Sequence, residues 1–149
     1  MGYDGQVLDR LATLPTWLLA RANQRAHDVL QAAFAAAGAR GYHYRLLAAL
    51  EQHGATSQAA LARLTGIDAK DVVHALNELV ARSFVQREAD PVDKRRNLVT
   101  ITRTGAAELR RLDRVVAGIQ NEVLAPLTAR ERAQLATLLA KLANPGTAG

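Results

Sequence analysis

The 149-residue chain contains no cysteine, which excludes disulfide staples, thiolate metal sites and thiol redox sensing. No apolar run approaches the ~20 residues of a membrane-spanning helix, and no apolar stretch follows a basic N-terminus as in a signal peptide. A cytoplasmic protein with no membrane partner is therefore expected. His27, His43, His53 and His74 lack a ligand spacing such as H-x-x-x-H, so neither a metal nor a cofactor is expected. No serine sits in a nucleophile elbow, and Gly105 and Gly118 build no phosphate loop, which argues against an enzyme. Internal repeats and low-complexity linkers are missing too. Acidic residues are the scarcer charge, 14 against 19 Lys+Arg, and the net charge of +5 points to a polyanionic partner more than to an acidic small substrate.

What is present is helix-forming. The composition is 49% hydrophobic with alanine and leucine dominant, and the length suits one domain with a real core. Val7, Leu8, Leu11 and Leu14 stand at helical spacing in the lead-in, and Pro15 either kinks that helix or opens the next. From 16 to 37, Leu18, Leu19, Ala22, Ala26, Val29, Leu30, Ala33 and Phe34 form one apolar stripe, ended by Gly38 and Gly41. A second helix over 42–53 turns Leu46, Leu47 and Leu50 inward. Ser57 caps a third, with Leu61 and Leu64 buried, and Gly66 ends it. Asp68 caps a fourth, which buries Val72, Ala75, Leu76, Leu79 and Val80. Lys70, His74, Asn77 and Ala81 lie on its opposite face, flanked by Val73 and Glu78. Two short helices around a glycine turn, the second polar outward, read as helix-turn-helix.

A ribbon follows at once. Residues 84–87 read as a strand, 89–96 as a charged turn region started by Asp90-Pro91, and 98–101 as the return strand. Lys94, Arg95 and Arg96 stand together at its tip, able to lie along a nucleic-acid backbone or enter a narrow minor groove. Thr102 caps a fifth helix running to Leu124, and Thr128 with Glu131 forms a capping box for a sixth carrying Leu135, Leu138, Leu139 and Leu142. The first, fifth and sixth helices carry more apolar surface than a small domain easily buries, so they are expected to pair with a second copy about a two-fold axis, with an intramolecular three-helix cluster as the alternative. The fold expected is mainly α with a small β-hairpin wing. It is one domain, 1–149: an N-terminal dimerisation region (1–40), a winged helix-turn-helix (42–105), C-terminal dimerisation helices (106–143) and a tail (144–149).

The segment Asp90-Pro91-Val92-Asp93-Lys94-Arg95, followed by Val99, Ile101-Thr102 and Gly105, resembles the wing signature of the MarR family of bacterial transcriptional regulators. The residues 57–62 and Gly66-Ile67-Asp68 fit that family's preceding helix-turn-helix. The resemblance covers 42–105 well and the flanking helices by length and order. It implies an obligate homodimer that binds a pseudo-palindromic duplex operator, commonly as a repressor, and is released by a small aromatic or carboxylate effector. It also implies that Asp93 and Arg95 hold the wing in shape while Lys94 and Arg96 stay free. Whether Arg95 inserts into the minor groove or only braces the wing is left open. Two departures stand out: Lys70 and Asp71 replace the usual small hydroxyl residues, and Ala60 replaces a capping-box glutamate.

On this reading Arg45, Arg63, Lys70, Lys94, Arg95 and Arg96 neutralise phosphates. His74, Asn77 and Lys70 read base edges with Val73 beside them. Trp17, Arg21, His43, Tyr44 and Arg45 are the candidates for an effector cleft, each with packing or solvation as its plainer role. A winged-helix module used for protein contacts is the alternative function.

Overall fold

The computed structural model describes residues 8–147; Val7 lies outside them. In chain order the elements are α1 (Asp9–Ala12), α2 (Pro15–Ala36), α3 (Gly41–His53), β1 (Thr56–Ser57), α4 (Gln58–Thr65), α5 (Ala69–Ala81), β2 (Val85–Ala89), β3 (Asn97–Ile101), α6 (Arg103–Val123) and α7 (Ala129–Ala143), with a closing 3-10 turn, Pro145–Thr147. The chain forms two compact units. One comprises residues up to Val29 and from Gly118 on; the other is Leu30–Ala117.

Pro15 settles the lead-in. It is the first residue of α2, where its missing N–H costs nothing, and it ends α1 by disfavouring helix in Leu14. Gly41 does not end α2; it is the first residue of α3. Gly38 does mark the turn, in the left-handed region with φ 70°.

The Leu30–Ala117 unit is built on leucines. Leu46, Leu47 and Leu50 of α3, Leu61 of α4, Val72, Leu76 and Leu79 of α5, Val85, Val99 and Leu112 are all buried. Each such side chain contributes about 1.5–3 kcal/mol. Two expected core residues are not there: Leu64 is 51% exposed and Val80 37%. Both sit at the edge of their helix's apolar stripe, so the packed arc is narrower than the sequence pattern. Ser57 Oγ accepts from the Ala60 N–H at 3.2 Å and Asp68 Oδ1 from the Lys70 N–H at 2.9 Å, the two expected caps. α3 is capped differently: His43 Nδ1 accepts the Arg40 N–H at 3.3 Å, the reciprocal bond a glutamate would make in a capping box.

The ribbon has a third strand. β1 pairs with β3 in the order β1-β3-β2, all antiparallel, with Thr56 opposite Val99 and Val85 opposite Ile101. Two residues of β1 carry no alternation to read, which is why only a hairpin was expected. β2 starts one residue later than the sequence suggested and runs to Ala89.

Where α5 ends, Ser83 takes a positive φ of 63°, an uncommon conformation for a residue with a Cβ. Its carbonyl accepts from the Thr102 hydroxyl at 2.6 Å and the Thr104 hydroxyl at 2.8 Å. The Phe84 carbonyl accepts the Thr102 N–H at 3.0 Å, and the Thr102 hydroxyl also takes the Gly105 N–H at 3.0 Å. Gly105 lies so close that a Cβ there would overlap the Phe84 carbonyl.

The entry to α3 is tied down by arginines. Arg111 Nη2 donates to the Ala37 carbonyl at 2.9 Å and Arg82 Nη1 to the Gly38 carbonyl at 3.1 Å. Both guanidinium groups also meet Glu108, a buried carboxylate: Arg111 grips it at 2.5 and 2.9 Å, and Arg82 lies 3.8 Å away. Arg111 holds the Glu108 carboxyl below its usual range against the opposing effect of burial.

In the terminal unit, Arg25 donates to the carbonyls of Val123 at 2.6 Å and Glu122 at 3.0 Å, placing a cation at the negative end of α6. The Thr128–Glu131 capping box closes both ways, at 3.2 and 2.9 Å. Leu8, Leu14, Leu18, Leu19, Leu138, Leu139 and Leu142 of this unit are all exposed.

Gly105→Ala forces the added methyl against a main-chain oxygen that cannot rotate away. Urea unfolding should show a loss of about 1–3 kcal/mol, the usual range for overpacking.

Candidate nucleic-acid interface

α5 presents the side chains that its buried stripe leaves outward. Lys70, Val73, His74 and Asn77 are all exposed, on the arc opposite Val72, Leu76 and Leu79. Gly66, in the left-handed region at φ 69°, turns the chain between α4 and α5 without the steric cost a Cβ would bring. Arg63 is exposed on α4. Arg45 donates to the Thr65 carbonyl at 3.3 Å and stands 5.5 Å over the Tyr42 ring. It therefore braces the C-terminal end of α4 while keeping an exposed charge.

The wing is ordered by two aspartates. Asp93 Oδ1 accepts from the Arg95 N–H at 3.1 Å and from Arg95 Nε at 3.2 Å, and the Arg95 side chain is still 92% exposed. Asp90, buried, is the stronger organiser. Its Oδ1 accepts the Val92 N–H at 2.8 Å, its Oδ2 meets Arg96 Nη2 at 3.3 Å, and its N–H donates to the Arg96 carbonyl at 2.9 Å. Arg96 is thus ion-paired, where the resemblance left it free. Lys94 and Arg95 carry the most open charge. Arg87, on β2, donates to Gln58 of α4 at 3.0 Å and so ties the wing's base to the helix-turn-helix. Sequence reasoning passed over Asp90, Arg96 as its partner, and Arg87. Only Asp90 carried a signal, the Asp-Pro turn, and that was read for its backbone alone.

The expected effector residues divide. Trp17 and Arg21 belong to the terminal unit, where the Trp17 indole N–H is buried without a hydrogen-bond partner. Arg21 lines an open cleft of about 460 Å³ with Gln24, Arg25, Asp28 and Val29. In the other unit His43 is 4% exposed, and the Tyr44 hydroxyl donates to Asp113 at 3.0 Å. No group of His, Asp and Glu among the described residues has a metal-binding arrangement, and no helix there is long and apolar enough to cross a membrane.

Residues 39–96 match the family model described as MarR family. The HTH-type transcriptional repressor NicR of Pseudomonas putida is 32% identical over 125 residues, 84% of this chain and 79% of that protein. The chain belongs to the MarR family. Like its other members it is a DNA-binding transcriptional regulator, not an enzyme. Among solved MarR-type structures it is similar to Bordetella bronchiseptica BpsR, whose DNA binding is regulated by 6-hydroxynicotinic acid: 28% identity, TM-score 0.78, covering 89% of this chain and 95% of that one. A mutant E. coli MarR complexed with operator DNA matches at 26% identity and TM-score 0.72, covering 84% and 90%.

The Val92 N–H holds the Asp90 carboxyl below its usual range, with Arg96 adding to the effect against burial. A carboxylate with a depressed folded pKa lends stability above its unfolded pKa, and that stability is lost as pH falls through the folded value. Acid unfolding of wild type should therefore be steeper than that of Asp90→Asn, compared by circular dichroism below the ordinary carboxylate range.

Proposed function

We propose that this protein is a cytoplasmic, homodimeric repressor that binds a pseudo-palindromic operator and is released by a small aromatic carboxylate. The observation that carries the reading is the wing: a ribbon whose shape is held by Asp90 and Asp93 while Lys94 and Arg95 project into solvent. A cation already fixed in place loses little freedom on meeting a phosphate or a minor groove. Phosphate neutralisation is assigned to Arg45, Arg63, Lys70, Lys94, Arg95 and Arg96. Base reading is assigned to His74, Asn77 and Lys70, with Val73 offered to a thymine methyl.

Dimerisation through the terminal helices is supported by the seven leucines that a single chain leaves exposed there. Burying them against a second copy removes a large apolar surface from water. Two-fold symmetry then sets the half-sites about 34–36 Å apart. Repression is supported by NicR, which is named a repressor, and control by a carboxylate is supported by BpsR, whose DNA binding is regulated by 6-hydroxynicotinic acid. Arg21 beside Arg25 in an open cleft supplies cationic chemistry for such a ligand.

Replacing Arg95 by alanine should abolish operator retardation in a mobility-shift assay while sedimentation still shows a folded dimer. Normal binding by this variant rules out the wing assignment. Wild-type affinity should fall with salt, the log–log slope steepening by roughly 0.9 per phosphate contacted.

6-Hydroxynicotinate or a benzoate should raise the thermal midpoint of the free protein and lower its operator affinity, since the ligand stabilises the form it binds. A raised midpoint with unchanged operator affinity separates ligand binding from regulation.

A further inference from the structure

One carboxylate of α5 is shared among three partners from two elements. Arg40 Nη2 lies 3.3 Å from Glu78 Oε1, His74 Nε2 3.4 Å from the same oxygen, and His43 Nε2 3.4 Å from Oε2. The three partners differ in exposure. His74 is one turn earlier on the outward face, its side chain 68% exposed, whereas the His43 side chain is 5% exposed. Glu78 Oε1 and His43 Nε2 are buried, yet neither completes an aligned hydrogen bond. A buried polar pair left short of full bonding is costly, and a small change in charge shifts its balance.

We propose that Glu78 is a positioning residue for base reading: it sets the His74 imidazole on the outward face of α5 and takes its own place from Arg40 and His43, so that selectivity for the operator depends on the charge of His43. The inference rests on the operator-binding reading above.

The tautomer supplies the mechanism. His43 Nδ1 accepts the Arg40 N–H, which leaves the neutral ring's proton on Nε2, facing Glu78. A second proton must go to Nδ1. It turns that acceptor into a donor, strips Arg40 N–H of its partner and draws Glu78 toward the imidazolium, away from His74. The other charged groups around His43 are Arg82 at the end of α5 and Glu108 on α6, which Arg111 neutralises. Burial keeps the His43 pKa below its ordinary 6.5, with Arg40 and Arg82 acting in the same sense and Glu78 opposing. The folded state therefore resists this proton. Stability from the site is full above about 6.5 and declines as pH falls from there to the lower folded value.

The test starts from a preferred duplex obtained by binding selection from random DNA. Its affinity and that of a scrambled duplex are then measured from pH 5.5 to 8 for wild type, Glu78→Gln, His74→Ala, the double variant and His43→Gln. Glutamine at 43 still offers an acceptor to Arg40 N–H but does not titrate. Expected are a loss of selectivity of roughly tenfold in Glu78→Gln, matching His74→Ala and in the range of one base contact, and no further loss in the double variant. Wild-type selectivity falls toward acid pH more steeply than that of His43→Gln. Additive losses in the double variant, or a Glu78→Gln profile identical to wild type, overturn the role of Glu78. If Glu78→Gln fails to fold by circular dichroism, His43→Gln decides: a profile still as steep as wild type's overturns the proposal. Absence of selective binding by wild type itself overturns the operator reading instead.

Discussion

A single main-chain turn governs where α5 and the wing can point. Ser83 is held at positive φ by two threonine hydroxyls on its carbonyl, and the next carbonyl, that of Phe84, takes the Thr102 N–H. α5 enters this turn, β2 leaves it, and β3 and α6 return to it. Four elements are thereby registered to one another by contacts that involve neither the core leucines nor the wing tip. The Thr102 and Gly105 of the wing signature find their physical reason here: one hydroxyl that both donates and accepts, and one Cα approached too closely for a Cβ.

Much of this architecture was legible because it is local. Caps at Ser57, Asp68 and Thr128, the proline at the start of α2 and the leucine stripes are all written in short-range spacing. The family resemblance rested on a turn and the cations after it, which are likewise contiguous. What escaped was contact across the chain. β1 pairs with a strand some forty residues later. Arg87 meets Gln58, and Arg111 meets a carbonyl 74 positions away. The exposed Leu64 and Val80 failed for a related reason: periodicity gives the direction of a face but not how wide an arc the neighbours cover.

The candidate site shows the same division. The outward set on α5 followed from its period alone, but the ordering of the wing did not. Asp93 and Arg95, two residues apart, bond each other; Asp90 and Arg96, six apart, bracket the whole turn. Cations at a tip were therefore visible as charge, while the division between those tethered and those left open required coordinates. Arg95 falls on both sides of it: bonded to Asp93, its side chain is still 92% exposed.

The grip on residues 37 and 38 has its own implication. Two guanidinium groups hold the carbonyls where α2 gives way to α3, and the Glu108 carboxylate that anchors them is itself kept ionised by Arg111. Arg111 and Glu108 each favour the other's charged form, the guanidinium pKa raised and the carboxyl pKa lowered. That pair fastens the chain just ahead of His43, whose Nδ1 holds the Arg40 N–H a few residues further on. The turn between the two helices is thus fastened by guanidinium groups on one carbonyl after another and by a single ring nitrogen on the amide that follows, and the second fastening is the one a proton can undo.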